Sequence, residues 1–362
     1  MNILHIAKLT DDKANGLRTV VPFHIVEQAK HERALLQNVL NIPLKECEEY
    51  QVDFIKDGWP FNVQDKQGNS FSPDLVVFHG YYHFEMVGLA KTLCKNKIPY
   101  IVAPHGSLTR KAQATKRLKK IAGNFVFFDS FAKKAGAIQF LSQNEFNNSV
   151  KKNENNFIST NGMYMPSEQK EAFNEDKTVF SFIGRIDTHI KGLDLLVEAI
   201  HQKRELLREN GCVFRLIGPQ TEEYQAKIKI VTDLIEKLEI SDLVQLFDGV
   251  FGEEKKKKLL ETDIFIQCSR TEAMPMGILE AMSYGVPCLI TKGTSLTDLL
   301  DKYDAGWSCE TTADAIADTI EKAVLERQLL NEKSKNAMTL IENNFLWENV
   351  AKNALENYKK FI

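Results

Sequence analysis

The chain has no Cys-x-x-Cys pair, no apolar run long enough to cross a bilayer, no low-complexity tract and no short-period repeat. Its six cysteines (Cys47, Cys94, Cys212, Cys268, Cys288 and Cys309) are scattered, several of them inside apolar runs. That excludes a disulfide framework or a zinc site and points to buried, reduced thiols. Without a spanning segment, membrane contact is limited to peripheral docking. The opening Met1-Asn2-Ile3-Leu4-His5-Ile6-Ala7 reads as a strand and lacks the layout of a secretory leader. The expected location is the cytoplasm, at most peripheral on the inner face of the plasma membrane. A G-x-G-x-x-G fingerprint is also missing, which excludes the usual dinucleotide-binding turn.

What is present is globular in character. The 362 residues are 43% hydrophobic and 26% charged, long enough for two domains. The net charge of −3 conceals an asymmetry: residues 1–165 hold 21 Lys and Arg against 15 Asp and Glu, and the remainder 25 against 34. The first half is therefore expected to meet something anionic. Nucleic acid is not that partner, since the pI is 6.3 and no nucleic-acid motif occurs.

Short apolar runs alternate with longer amphipathic ones. Strands are expected at Ile3–Ala7, Leu35–Leu40, Leu75–His79, Tyr100–Ala103 and Ala137–Leu141, then at Val179–Ile183, Val213–Ile217, Val244–Phe247, Ile264–Cys268 and Cys288–Thr291. Helices are expected at Gly16–Lys30, Glu85–Asn96, Ser142–Lys151, Leu193–Glu209, Glu222–Leu238, Glu253–Glu261, Gly277–Tyr284 and Ala313–Leu325. Such alternation gives parallel sheets covered on both faces, here two series of about five strands. The fold class is α/β with two Rossmann-like domains, and a deep cleft between them is the expected ligand site. The turn signals in Asn161-Gly162 and Pro166 put the boundary near residue 163, with 1–163 forming the first domain and 164–344 the second. Residues 345–362 have helical spacing and no strand after them, so they must pack on existing surface.

Ligands of open α/β sheets gather at the carboxyl ends of strands, and the informative residues lie there. Arg185 and Lys191 sit between Gly184 and Gly192 after one strand, where two cations before a helix suit a diphosphate. After another strand comes Ser269-Arg270-Thr271-Glu272-Ala273-Met274-Pro275-Met276-Gly277-Ile278-Leu279-Glu280. Pro275 suits the first turn of a helix, Gly277 leaves that N-terminus open to close approach, and Glu272 and Glu280 bracket the turn. A bare glutamate pair at this spacing is ordinarily solvated, but Glu280 interrupts an apolar stretch and needs a partner. In the first half, His105 is exposed on a turn by Pro104 and Gly106, His79-Gly80 ends another strand, and Asn15-Gly16 opens the first helix.

These segments resemble the GT-B glycosyltransferases of the large retaining family 4, also called glycosyltransferase group 1. Gly184-Arg185 through Lys191-Gly192 and the Glu272-to-Glu280 segment carry the resemblance, with Ala103-Pro104-His105-Gly106-Ser107-Leu108, Asn161-Gly162, Ile217-Gly218-Pro219 and Tyr284-Gly285-Val286-Pro287 in support. It covers nearly the whole chain and is strongest over residues 178–291. It implies a GT-B fold whose terminal helix crosses back to the N-terminal, acceptor-binding domain, while the C-terminal domain binds the donor. It also implies catalytic roles for Glu272 and His105, and a donor-diphosphate site from Arg185, Lys191 and the backbone at Gly277 and Ile278. Glu280 would hold the ribose, Met274, Met276 and Gly277 would line the donor sugar, and Asn15 and Gly16 would form the acceptor and phosphate loop. Where the family has a double glycine this chain has Asn15-Gly16, and Ala273-Met274-Pro275 replaces the commoner Gly-Phe-Gly or Gly-Phe-Pro.

The reaction so implied is transfer, with retention, of a hexose or N-acetylhexosamine from a nucleotide sugar, UDP-linked, to a glycan acceptor. Capsule or exopolysaccharide assembly is the implied setting. No Asp-x-Asp pair occurs, so no metal or other cofactor is expected and the leaving diphosphate falls to Arg185, Lys191 and a helix dipole. A transferase for a small soluble sugar or sugar phosphate, a UDP-sugar epimerase and a non-catalytic UDP-sugar binder are the competing readings. Arg110, Lys111, Lys116, Arg117, Lys119 and Lys120, close to Ile121, Phe125, Phe127 and Phe128, are either a solvated helix face or a contact with an anionic membrane that presents a lipid-linked acceptor.

Overall fold

The computed structural model describes every residue except Lys13, Ala14 and Glu223. The chain forms two compact units, Met1–Gly162 with Trp347–Ile362, and Met163–Leu346. In the first, β1 (Asn2–Ala7), β2 (Arg33–Asn38), β3 (Gln51–Val52), β4 (Leu75–His79), β5 (Tyr100–Ala103), β6 (Ala137–Phe140) and β7 (Asn156–Ile158) form one sheet in the order β3-β2-β1-β4-β5-β6-β7. In the second, β8 (Val179–Ile183), β9 (Val213–Ile217), β10 (Val244–Phe247), β11 (Ile264–Gln267), β12 (Cys288–Thr291) and β13 (Gly306–Cys309) are ordered β10-β9-β8-β11-β12-β13. Every pairing in both sheets is parallel.

The central strands are buried on both faces, as runs such as Leu75-Val76-Val77-Phe78 require. Each sheet is covered by its own core: Phe78, Tyr100 and Phe131 pack together in the first unit, and Phe180 stacks on Phe214 in the second at 4.6 Å between ring centres. In both sheets the strand order reverses once, between β1 and β4 and between β8 and β11. Those two reversals are where an open parallel sheet leaves room at its carboxyl edge.

Seven and six strands replace the expected five and five. The additional β3 and β7 have two and three residues, and β13 begins at Gly306, so none presents a readable apolar period. The strand expected at Leu35–Leu40 begins earlier and ends at Asn38. The helix expected over Leu193–Glu209 is two, Leu193–Gln202 and Arg204–Glu209, broken at Lys203. The one expected from Glu222 runs Gln225–Lys237, and its Glu223 lies outside the described residues. Among the helices that were not expected are Asp129–Lys133, Thr188–Lys191, Thr297–Tyr303 and Leu330–Asn344. The last buries Lys333 and Ser334 together with Leu330, Ala337, Leu340 and Ile341, so polar residues interrupt its apolar stripe.

The terminal helix Trp347–Tyr358 completes the first unit. Trp347 meets His24 edge-on at 4.7 Å, and the Tyr358 hydroxyl donates to Gln139 Oε1 on β6 at 2.8 Å. Gly162 makes this seating possible, because a Cβ there would lie 2.4 Å from the Trp347 ring. Gly162→Ala should therefore lower the stability of the first unit by about 1–3 kcal/mol through overpacking. Thermal unfolding of the variant checks this, and an unchanged midpoint would mean that Trp347 is not held against Gly162.

Candidate active site

In the second unit three strand-end loops are drawn together by glycines. After β8, Asp187 accepts from Ile190 N–H at 2.8 Å and opens the short helix Thr188–Lys191. Gly192 ends it with φ +66°, and a Cβ there would lie 2.1 Å from the carbonyl oxygen of Cys268, the residue following β11. Only glycine allows both the left-handed turn and the contact. After β12, a Cβ on Gly293 would lie 2.1 Å from the Ser269 carbonyl oxygen.

Arg270 fastens the first two loops. Its N–H donates to Ile190 O at 2.8 Å, and its guanidinium donates to Thr188 O at 2.6 Å and in a fork to both Asp194 oxygens at 2.7 Å. Such a bidentate pair fixes geometry as well as charge. Lys191 Nζ then reaches Glu272 Oε1 at 2.5 Å, and the same oxygen accepts from Ser269 Oγ at 3.0 Å and Gln267 Nε2 at 3.2 Å. The Glu272 backbone is pinned as well, its N–H to Gly293 O and its carbonyl to Ser295 Oγ, each at 2.8 Å. Glu272 Oε2 accepts no hydrogen bond and joins no ion pair among the described residues, so one oxygen is held and the other is left unengaged. Arg185 is exposed and forms no ion pair or hydrogen bond among the described residues.

Pro275 precedes the helix Met276–Ser283 by one residue rather than starting it. A Cβ on Gly277 would meet Phe265 at 3.3 Å and Ile183 O at 3.5 Å. The glycine thus seats the helix start against β11 and the end of β8, and on that side the space is filled by protein rather than left for a ligand. Ile278 is a core side chain and its N–H donates to Pro275 O at 3.1 Å, so that expected phosphate donor is engaged. Met274 is nearly buried and Met276 half-buried. Glu280 has the partner that its apolar setting demanded, Lys255 on the helix Gly252–Leu260.

In the first unit, Asn15 caps the helix Gly16–Ala29 by accepting from Leu17 N–H at 3.0 Å, so its side chain serves the helix. A Cβ on Gly16 would meet nothing within 4 Å among the described residues. His105 has φ +47° in the turn after β5, and Gly106 N–H donates to the buried Glu145 at 2.6 Å, which anchors that turn. Its Nε2 lies 3.0 Å from Nδ1 of His79, the last residue of β4. His5 on β1 and His24 on the first helix are buried beside it, His24 Nε2 contacting Asn161 Oδ1 at 3.1 Å. Burial holds these imidazoles neutral: from an ordinary 6.5, His5 falls to about 3, with the nearby His24 adding to the effect, and His24 to about 4. His79 is lowered well below the ordinary value by burial and by its imidazole neighbours. Among the described residues no three His, Cys, Asp or Glu side chains converge to hold a metal.

Sequence reasoning missed Arg270, Gln267, Ser269, Lys255, Glu145, His5 and His24. Arg270 and Ser269 stood inside the quoted motif; Arg270 acts on a loop far away in the chain, and Ser269 bonds Glu272 within the motif itself. A buried strand such as His5-Ile6-Ala7 carries no local mark that its histidine faces another.

Residues 166–340 match the family described as glycosyl transferases group 1. Two relatives are similar to parts of the chain. WcaL of Escherichia coli, named a colanic acid biosynthesis glycosyltransferase, is 28% identical over 170 residues, 44% of this chain and 39% of WcaL. AmsK of Erwinia amylovora, an amylovoran biosynthesis glycosyltransferase, is 31% identical over 127 residues, 33% of this chain and 29% of AmsK. The chain thus spans well under half the length of these relatives. Among solved structures, Anabaena HepE in complex with UDP is similar over 99% of this chain and 100% of its own, with TM-score 0.73 and 15% identity. This likeness covers both units and bears out the expected GT-B fold.

The neutral histidines set an acid limit on the first unit. A folded-state pKa below the unfolded value means that the unfolded chain takes up protons the folded chain refuses. Stability is then fully present above pH 6.5 and is lost as pH falls toward the folded pKa, by up to about 1.4 kcal/mol per pH unit for each ring. In a Trp307→Phe variant the remaining Trp59 and Trp347 both report on the first unit. Denaturant unfolding at pH 7 and pH 5.5, followed by their fluorescence, should show the loss, and His24→Asn should reduce it. Equal pH slopes with and without His24 would refute the assignment.

Proposed function

Because residues 166–340 match the glycosyl transferases group 1 family, we propose that this chain is a glycosyltransferase. It moves a hexose or N-acetylhexosamine from a UDP-linked donor to a glycan acceptor during assembly of a surface polysaccharide. The names of WcaL and AmsK support the polysaccharide setting, and the UDP held by HepE supports the nucleotide. One observation carries the reading: at the reversal of the second sheet, Lys191 and Glu272 are held together with one carboxylate oxygen left unengaged, while Arg185 stands exposed and unpaired after the adjoining strand.

Each group has a task in that reaction. Breaking the sugar–phosphate bond puts new negative charge on the departing diphosphate. Arg185 and Lys191 neutralise it without a metal, and the start of the helix Met276–Ser283 adds its dipole. The free oxygen of Glu272 faces the sugar, where positive charge develops at the anomeric carbon, and Glu280 accepts from the ribose hydroxyls. With no second carboxylate in the Glu272 cluster to serve as a nucleophile, the acceptor attacks from the face that the diphosphate leaves. The diphosphate takes its proton, and configuration is retained. His105, in the first unit, contacts a hydroxyl of a reacting sugar.

The acceptor is lipid-linked, and the first unit docks at an anionic leaflet. The basic run folds as two short helices, Arg110–Ala114 and Arg117–Gly123, and beside its cations Leu118 and Phe125 are 83% and 87% exposed. Lys120 differs from its neighbours: its ammonium donates to Ala112 O and lies 5.1 Å from the Tyr82 ring centre, so it belongs to the fold. Arg110, Lys111, Lys116, Arg117 and Lys119 supply the attraction, about 1 kcal/mol for each well-placed cation.

Calorimetric titration with UDP in excess EDTA tests the donor site. Arg185→Ala and Lys191→Ala should each weaken binding by roughly 10- to 150-fold, the loss of one charge-assisted bond of about 1.5–3 kcal/mol. Undiminished affinity in both variants, or binding that needs Mg²⁺ or Mn²⁺, would overturn the diphosphate assignment. Vesicles test the docking face. At low salt the protein should bind those containing anionic lipid in preference to neutral ones, and Arg110, Lys111, Lys116, Arg117 and Lys119 changed together to Ser should abolish the preference while UDP binding is kept. Equal binding to both vesicle types would refute docking.

A further inference from the structure

Three imidazoles in the first unit form a chain that joins two strands and the turn after a third to one helix. His105 Nε2 lies 3.0 Å from His79 Nδ1, His79 Nε2 lies 2.9 Å from His5 Nδ1, and His5 Nε2 lies 3.0 Å from Gln28 Oε1 on the helix Gly16–Ala29. His5, His79 and Gln28 are at most 1% exposed. A neutral imidazole has one donor nitrogen and one acceptor nitrogen, and a bond between two rings needs one of each. The three tautomers are therefore not independent. The Gln28 carbonyl oxygen requires a proton on His5 Nε2, which makes His5 Nδ1 an acceptor and puts the next proton on His79 Nε2. His79 Nδ1 then accepts from His105 Nε2, and His105 Nδ1 is left as a bare lone pair with no partner among the described residues. A reversed amide at Gln28 would reverse every ring.

We propose that Gln28 is a positioning residue which, through His5 and His79, sets the tautomer of His105 so that Nδ1 is presented as an acceptor to a sugar hydroxyl. The hydroxyl as ligand rests on the function proposed above, whereas the linkage of the tautomers does not. Two further observations fit. The other end of the Gln28 amide faces the Tyr358 hydroxyl, which donates to Gln139 and so offers only a lone pair; that turns Nε2 toward Tyr358 and the oxygen toward His5. The burial that keeps these rings neutral also removes the cationic form that would break the one-way pattern.

Long-range ¹H–¹⁵N spectra of the histidine-labelled protein at pH 7.5, without any sugar nucleotide, read each tautomer directly. His5, His79 and His105 should all carry the proton on Nε2. Gln28→Met, which can neither donate nor accept a strong hydrogen bond, should replace the single His105 tautomer by a mixture. In a His79→Phe background, adding Gln28→Met should leave the His105 ratio where His79→Phe alone puts it. A disturbance spreading through packing would instead shift it in both backgrounds and overturn the proposal. The wild-type spectra decide even where a variant fails to fold, since mixed tautomers, protons on Nδ1 or a cationic ring would overturn it as well. Because no donor is present, loss of the linkage leaves the glycosyltransferase reading untouched. Failure of UDP to bind leaves the linkage standing.

Discussion

The site of the second unit depends on one contact, the approach of Gly192 to the carbonyl of Cys268. A left-handed glycine at that point lets the loop after β8 lie against the end of β11, two segments that only the sheet makes neighbours. Once they touch, Arg270 can reach Thr188 and Asp194, and Lys191 falls beside Glu272. Gly293 repeats the device from the other side, pressing the loop after β12 against Ser269 and fixing the Glu272 backbone. Side-chain bonds then refine an arrangement that backbone contacts have already imposed. This division suits electrostatic catalysis, where a charge is useful only if it is already oriented when the transition state forms.

The first unit orients its groups by another means. There the turn at His105 is held by the buried Glu145, and behind it stand neutral imidazoles rather than ion pairs. Burying a charged histidine among others would be costly, and the protein avoids it by keeping each ring uncharged and bonded to the next. The site of the second unit balances charges against one another, and the imidazole cluster of the first excludes them.

Much of this was legible in the sequence. Strands such as Leu75–His79 and Val179–Ile183 are continuous apolar runs bounded by turns, and they lie where periodicity put them. Arg185, Lys191, Glu272 and Glu280 fall in one unit, on the loops and the helix that follow β8 and β11. What the sequence did not disclose is the packing of these residues. Gly277 seats its helix under Phe265, Lys120 turns inward to Ala112, and Asn15 caps the helix that follows it. Each contact depends on a partner distant in the chain or on the direction of one side chain, and neither is written in a local pattern. Short strands failed for a simpler reason: two or three residues hold too little pattern.

In sequence the second unit interrupts the first, whose final segment Trp347–Ile362 follows it in the chain. Where the chain enters and leaves the second unit, Met163 N–H donates to Phe345 O at 2.6 Å, so the insertion begins and ends at one place. This sets an order for synthesis. The ribosome adds about 5–20 residues per second, so the first sheet emerges early and must wait, with His24 and Gly162 uncovered, while the whole of the second unit is made. Only then does Trp347 arrive to cover them. The second unit, being continuous, can close as soon as its own last strand and helices are out. The half of the protein that is begun first is therefore the half that is finished last.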